Sequence, residues 1–190
     1  MRGGVSKKLK NITVGALLAA LSVAIIALGG VIEVLDLSAA AIASFICVFA
    51  VIELGGVYPW LIFAVSSTLS LILIPSNFGA WCYLLFFGYY AILKEKIERL
   101  NNVLAWVLKM LIGNIAFAIL LFGFGTFTYG AGLSFTELVN KVFETNFGTA
   151  MIIGVILIVE ATFVMYDIAL TRIITFYFKK LRHRFKFLHK

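Results

Sequence analysis

The sequence predicts an all-α fold: an integral membrane bundle of six transmembrane helices with both termini in the cytoplasm. Three observations predict it. The 190 residues are 63% hydrophobic and only 13% charged, with a mean hydropathy of +1.08. Apolar runs long enough for a bilayer recur along the chain. Basic residues gather on one side when those runs are counted as spans. A soluble domain is about half apolar and about a quarter charged, because its surface needs polar groups. This chain has too few, so lipid is the expected solvent. With only two prolines and no Ser/Gly/Pro-rich run, residues 1–190 read as a single membrane domain.

A span needs about 20 apolar residues at about 1.5 Å rise each. Six stretches qualify: 12–32, 38–54, 57–75, 79–93, 103–125 and 149–178. The second and fourth are short, so five spans with one interfacial stretch is the alternative. Charge decides between them. Arg2, Lys7, Lys8 and Lys10 precede the first run. Lys94, Lys96 and Arg99 lie between the fourth and fifth, and Lys179, Lys180, Arg182, Arg184, Lys186 and Lys190 follow the sixth. Six spans put all of these on one side and only Lys141 on the other, which the positive-inside rule makes the cytoplasmic and outer sides. Residues 1–11 are then a basic cytoplasmic start and 179–190 a basic cytoplasmic tail. The tail directly abuts a span, so it suits anionic membrane lipid rather than nucleic acid.

The first run is too long for a cleaved signal peptide and lacks a clear small-residue cleavage site; it reads as a helix that stays. Its ALLAALSVA segment repeats Ala16, Ala20 and Ala24 every four residues, hence on one face. Small side chains let a second helix approach closely in lipid. The face can meet this chain's own helices or dock another membrane protein. Cys47 and Cys82 fall within apolar runs and read as reduced packing residues. Trp60, Trp81, Trp106, Tyr58, Tyr89 and Tyr90 sit near span ends, as interfacial aromatics do.

The longest outer connection is 126–148. Phe135, Leu138, Val139, Val142 and Phe143 recur there at helical spacing after a Ser134/Glu137 capping-box pattern. This predicts a short amphipathic helix on the outer surface, either a connection or a lid over an outward pocket. In the last two spans, charges are costly and usually paired or functional. Lys109 and Asp167 count to similar depth, so a structural ion pair is expected. Arg172 lies nearer the interface and can snorkel. Asn114 and Glu160 share a depth near mid-membrane, either as a helix–helix hydrogen bond or as polar groups of a substrate-binding pocket. Trp81 and Tyr83 are the expected aromatic wall of that pocket.

Enzyme readings find no support, and no catalytic residue is assigned. There is no HExxH, no span carries a histidine, and no His/Cys cluster suits a metal. No cofactor is implied. A phosphate-binding G-x-x-x-x-G-K-[ST] loop is absent, so ATP hydrolysis is not expected of this chain.

A basic amino-terminus, an AxxxA first span, about six helices and this length together resemble the substrate-binding S components of energy-coupling factor (ECF) vitamin transporters. The segment LDLSAAAIASF, residues 35–45, is similar to the start of the second helix in the riboflavin-type S components. The resemblance implies that Ala16, Ala20 and Ala24 dock a transmembrane coupling subunit, which works with two ATPase subunits. It implies a small vitamin or related metabolite as substrate, without identifying which. The alternative from another class is a non-transport membrane scaffold similar to the small cell-shape protein MreD. A polar, aromatic cavity would favour the transporter and a filled bundle the scaffold.

Overall fold

The computed structural model describes residues 2–130, 132–133, 135–142 and 149–181. Helices α1 (Arg2–Val31), α2 (Asp36–Glu53), α3 (Tyr58–Leu73), α4 (Phe78–Cys82), α5 (Gly88–Ile97), α6 (Asn102–Tyr129), α7 (Phe135–Val142) and α8 (Thr149–Phe176) follow in chain order. No strand occurs among the described residues. A π-helical turn, Tyr83–Phe87, joins α4 to α5, and a second, Tyr177–Leu181, extends α8. Three helical stretches are long and apolar enough to cross a membrane: Lys8–Val31, Asp36–Glu53 and Asn102–Tyr129. Helix α3 is apolar but shorter.

Helix α1 begins at Arg2, so the basic start expected to precede the first span is itself helical. Its packing face is built largely from small residues. Gly15, Ala19, Ser22, Ile26 and Gly29 are buried, alternating steps of four and three that keep them on one side. Helices α2 and α3 pack against α1. A Cβ added to Gly29 would overlap the Ala39 Cβ, so α1 and α2 approach as closely as bare backbone permits. Ala16, Ala20 and Ala24 point the other way and are exposed, beside the exposed Leu17, Leu21 and Leu28.

Helix α2 is the central rod. Ala39, Ala40, Ala43, Ser44, Cys47 and Ala50 are buried along it, and it contacts α1, α3, α4 and α5. Short side chains on a shared helix let several neighbours approach together. Its start is tied to α4 through Asn77. That residue caps α4 by accepting from the Ala80 N–H at 2.8 Å and donates to Asp36 at 2.7 Å. At the other end, Tyr177 donates to Glu53 at 2.5 Å, fastening the extension of α8 to α2.

The expected fourth span, 79–93, is interrupted by the Tyr83–Phe87 turn. A π turn adds a residue to one helical turn and so rotates the facing of the residues beyond it. Tyr83, Phe87, Tyr90 and Lys94, spaced as one helical face, are buried, and the main core forms where Tyr83, Phe87 and Tyr90 meet α2 and the α8 residues Phe163, Tyr166 and Leu170.

Helix α7 lies within the expected 126–148 amphipathic segment. Gly130 and Gly132 have φ of 95° and 97°, a region open to glycine, and turn the chain out of α6. Leu138 and Val139 are buried while Glu137 and Lys141 are exposed. Leu138 fits against Gly125, and Val139 packs with Leu121, Phe117 and Ile156. Ser134 and Phe143 lie outside the described residues, as does the tail beyond Leu181.

Gly79 gives a direct test of the α2–α4 junction. Its added Cβ would meet the Asp36 carbonyl oxygen at 2.6 Å, a backbone atom that has no rotamer to move. Gly79→Ala should cost about 1–3 kcal/mol through overpacking. Gly154→Ala, with nothing within 4 Å, should be neutral or slightly stabilising, because alanine is the better helix former. Thermal melting of the purified protein in detergent compares the two; equal melting temperatures would refute the close approach.

Candidate functional site

Asp167 of α8 is buried between α5 and α6. Its Oδ1 accepts from the Tyr90 hydroxyl at 2.7 Å and pairs with the Lys94 ammonium. Its Oδ2 accepts from Lys109 Nζ at 2.9 Å. Lys94 also donates to the Asp167 carbonyl at 3.0 Å. Glu98, at the exposed rim, accepts from Lys94 at 3.0 Å and from Lys109 at 3.3 Å. Lys94, Lys109 and Asp167 are 0%, 6% and 4% exposed. Two ammonium groups thus face two carboxylates, with no net charge. Lys109 also lies 5.6 Å from the Trp106 ring centroid, in cation–π contact.

The expected Lys109–Asp167 pair is therefore brought together. Sequence reasoning misses Lys94, which it places in a cytoplasmic loop. The residue sits in α5 and is fully buried, because Tyr90, Lys94 and Glu98 fall every four residues on the face turned toward α8. That spacing is the signal that could have found it. Arg172 is exposed.

Next to this cluster, a cavity of about 270 Å³ opens between α4, the π turn, α6 and α8. Phe78, Cys82, Phe86 and Phe87 form one wall, Met110, Asn114, Phe117 and Leu120 another, and Ile156, Glu160, Thr162, Phe163 and Tyr166 the third. Asn114 and Glu160 both line it and touch each other: the Asn114 amide donates to Glu160 Oε1 at 3.2 Å and to the Met110 carbonyl at 3.0 Å. Phe117 and Ile156 line the cavity and also pack against the cluster that Leu121 forms with Val139 of α7. The amphipathic helix therefore abuts one end of the cavity.

The aromatic wall differs from the expected one. Tyr83 turns away from the cavity and is fully buried. Its hydroxyl is held by Ser66 Oγ at 2.9 Å and Cys47 Sγ at 3.2 Å. Trp81 donates to the Pro75 carbonyl at 2.8 Å, and its ring packs against Phe124 and Phe127. The wall is made instead by Phe86, Phe87, Phe163 and Tyr166; Phe78, Cys82 and Phe86 fall every four residues on the face turned to the cavity, and Trp81 and Tyr83 flank that face. Phe86 and Phe163 meet edge-to-face with centroids 5.4 Å apart. Tyr166 donates to Ser44 Oγ at 2.7 Å, fixing α8 to α2.

Ala16, Ala20 and Ala24 are exposed on α1, on the side away from its buried face. Among the described residues no group of three or more His, Cys, Asp or Glu could hold a metal.

Removing one member of a buried ion pair strands its partner and costs about 3–5 kcal/mol. Asp167→Leu leaves both ammonium groups with only the rim carboxylate of Glu98, whereas Lys109→Met leaves Asp167 with Lys94. Asp167→Leu should therefore be the more destabilising. The double variant should fall short of the summed effects by about 0.5–3 kcal/mol. A double-mutant cycle by thermal melting in detergent checks both statements, and strict additivity would contradict the pairing.

No family model, no curated protein and no solved structure matches the chain.

Proposed function

We propose that this chain is the substrate-binding membrane subunit of an ECF-type transporter. It crosses the cell membrane six times with both termini in the cytoplasm, and it captures a small vitamin or related metabolite from the outer side. The observation that carries the reading is the aromatic cavity with the Asn114–Glu160 pair in its wall. Ligand sites are mostly apolar with a few placed polar groups, whereas a scaffold bundle of the MreD kind needs no such space. The abutting amphipathic α7 and the long apolar α1, α2 and α6 are compatible with it.

Uptake against a gradient needs an energy source, and the sequence carries no phosphate-binding loop. The ATPase work falls to partner subunits, reached through a transmembrane coupling subunit. The exposed Ala16, Ala20 and Ala24 face suits that contact, since small residues permit close helix approach in lipid.

Single cysteines at positions 5 and 185 should be protected from impermeant thiol reagents in intact cells; labelling of either would overturn the topology. Ala20→Trp should abolish co-purification of the coupling subunit while the isolated protein keeps its melting temperature, since the face is exposed. Undiminished complex formation would refute docking there. Mass spectrometry of small molecules released from the purified protein reads the substrate directly.

A further inference from the structure

The geometry points to the chemical class of the ligand: a small aromatic or otherwise apolar molecule bearing a protonated amine, with Glu160 as its counter-ion. The inference rests on the reading of the cavity as a capture site and deepens it. Three observations carry it.

First, the strong hydrogen-bond donors of the lining are already committed. The Asn114 amide donates to Met110 O at 3.0 Å and Glu160 Oε1 at 3.2 Å. The Thr162 hydroxyl donates to Ile158 O at 2.8 Å, and the Tyr166 hydroxyl to Ser44 Oγ at 2.7 Å. An amide nitrogen has two hydrogens and a hydroxyl one. What the cavity offers a ligand is acceptor capacity, chiefly the carboxylate of Glu160, so the ligand must donate.

Second, Glu160 stands apart from the cations of the described residues. Lys94 and Lys109 are engaged by Asp167 and Glu98. Among the described residues no Lys or Arg lies within ion-pairing distance of Glu160. A carboxylate in an apolar wall is costly unless a cation or several donors reach it. A ligand ammonium supplies that partner, whereas a ligand carboxylate or phosphate would place like charges together in a medium that screens them poorly.

Third, the remaining lining is aromatic. Phe86, Phe117, Phe163 and Tyr166 line it, and aromatic rings accept both another ring and a cation. At about 270 Å³ the space sits near the lower bound of about 300 Å³ for ligand sites, which limits the ligand to roughly one ring system with a short side chain.

Isothermal titration of the full chain in detergent tests this with matched probes: 2-phenylethylamine and tryptamine, their neutral counterparts 2-phenylethanol and tryptophol, and 3-phenylpropionate. Each amine should bind about tenfold or more tightly than its alcohol, the difference one charge-assisted hydrogen bond supplies, and the carboxylate should not bind. Glu160→Gln should erase the amine preference while leaving alcohol affinity in place. Alcohols binding as well as amines, no amine binding, or a preference that survives Glu160→Gln would each overturn the inference. If the variant fails to fold, the wild-type comparison decides alone. Alcohol binding without amine preference would sink the cation while sparing the capture site. Loss of the capture-subunit reading would show separately, as a coupling subunit indifferent to Ala20→Trp.

Discussion

The ionic knot around Asp167 is the contact on which the arrangement of α5, α6 and α8 depends. A lone charge in an apolar interior costs more than its packing can return, and it becomes tolerable only when opposite charges and hydrogen bonds surround it. Here the surrounding groups come from three elements: Tyr90 and Lys94 of α5, Lys109 of α6, and Asp167 of α8. Each helix is acceptable in the core only in the presence of the other two. Hydrophobic contact alone would let α8 slide or rotate, because apolar surfaces have no direction. The charged pairs fix both its depth and its facing.

The rest of the site depends on that register. With Asp167 held, Glu160 lies two turns along the same helix and meets Asn114, five residues past Lys109 on α6. Helices α6 and α8 are thus stitched at two levels, and the aromatic side chains between them leave space. Phe163 packs 5.3 Å from the Tyr90 ring centroid, joining the charged knot to the wall of the cavity. Small residues do the opposite job elsewhere. Gly29 against Ala39 and Gly79 against the Asp36 backbone bring α1, α2 and α4 into close contact. The chain is tight on the side of α1 and α2 and open between α6 and α8, and the difference is written in side-chain size.

Much of this is legible in the sequence. The apolar runs anticipate α2, α3, α6 and α8 within a few residues, since hydrophobic length is a strong signal. Counting residues from span ends brings Lys109 to Asp167 and Asn114 to Glu160, because a helix rises uniformly and depth is additive. Facing is less legible. Lys94 counts as a loop cation when basic residues serve as topology markers, although Tyr90, Lys94 and Glu98 share a helical face. The π turn at Tyr83–Phe87 has no local sequence signature, and the face that walls the cavity is set by Phe78, Cys82 and Phe86, four residues apart, rather than by Trp81 and Tyr83.

The central claim, that charge at Asp167 sets where α8 stands against α6, can be measured as a distance. Spin labels at Ile119→Cys of α6 and Ile153→Cys of α8 would sit on exposed positions, while the native Cys47 and Cys82 are buried. Pulsed electron–electron double resonance on the otherwise wild-type chain should give one narrow interhelical distance. Adding Asp167→Leu should broaden or shift it, as α8 loses its register. An unchanged narrow distance in that variant would mean that packing alone holds α8, and would contradict the account.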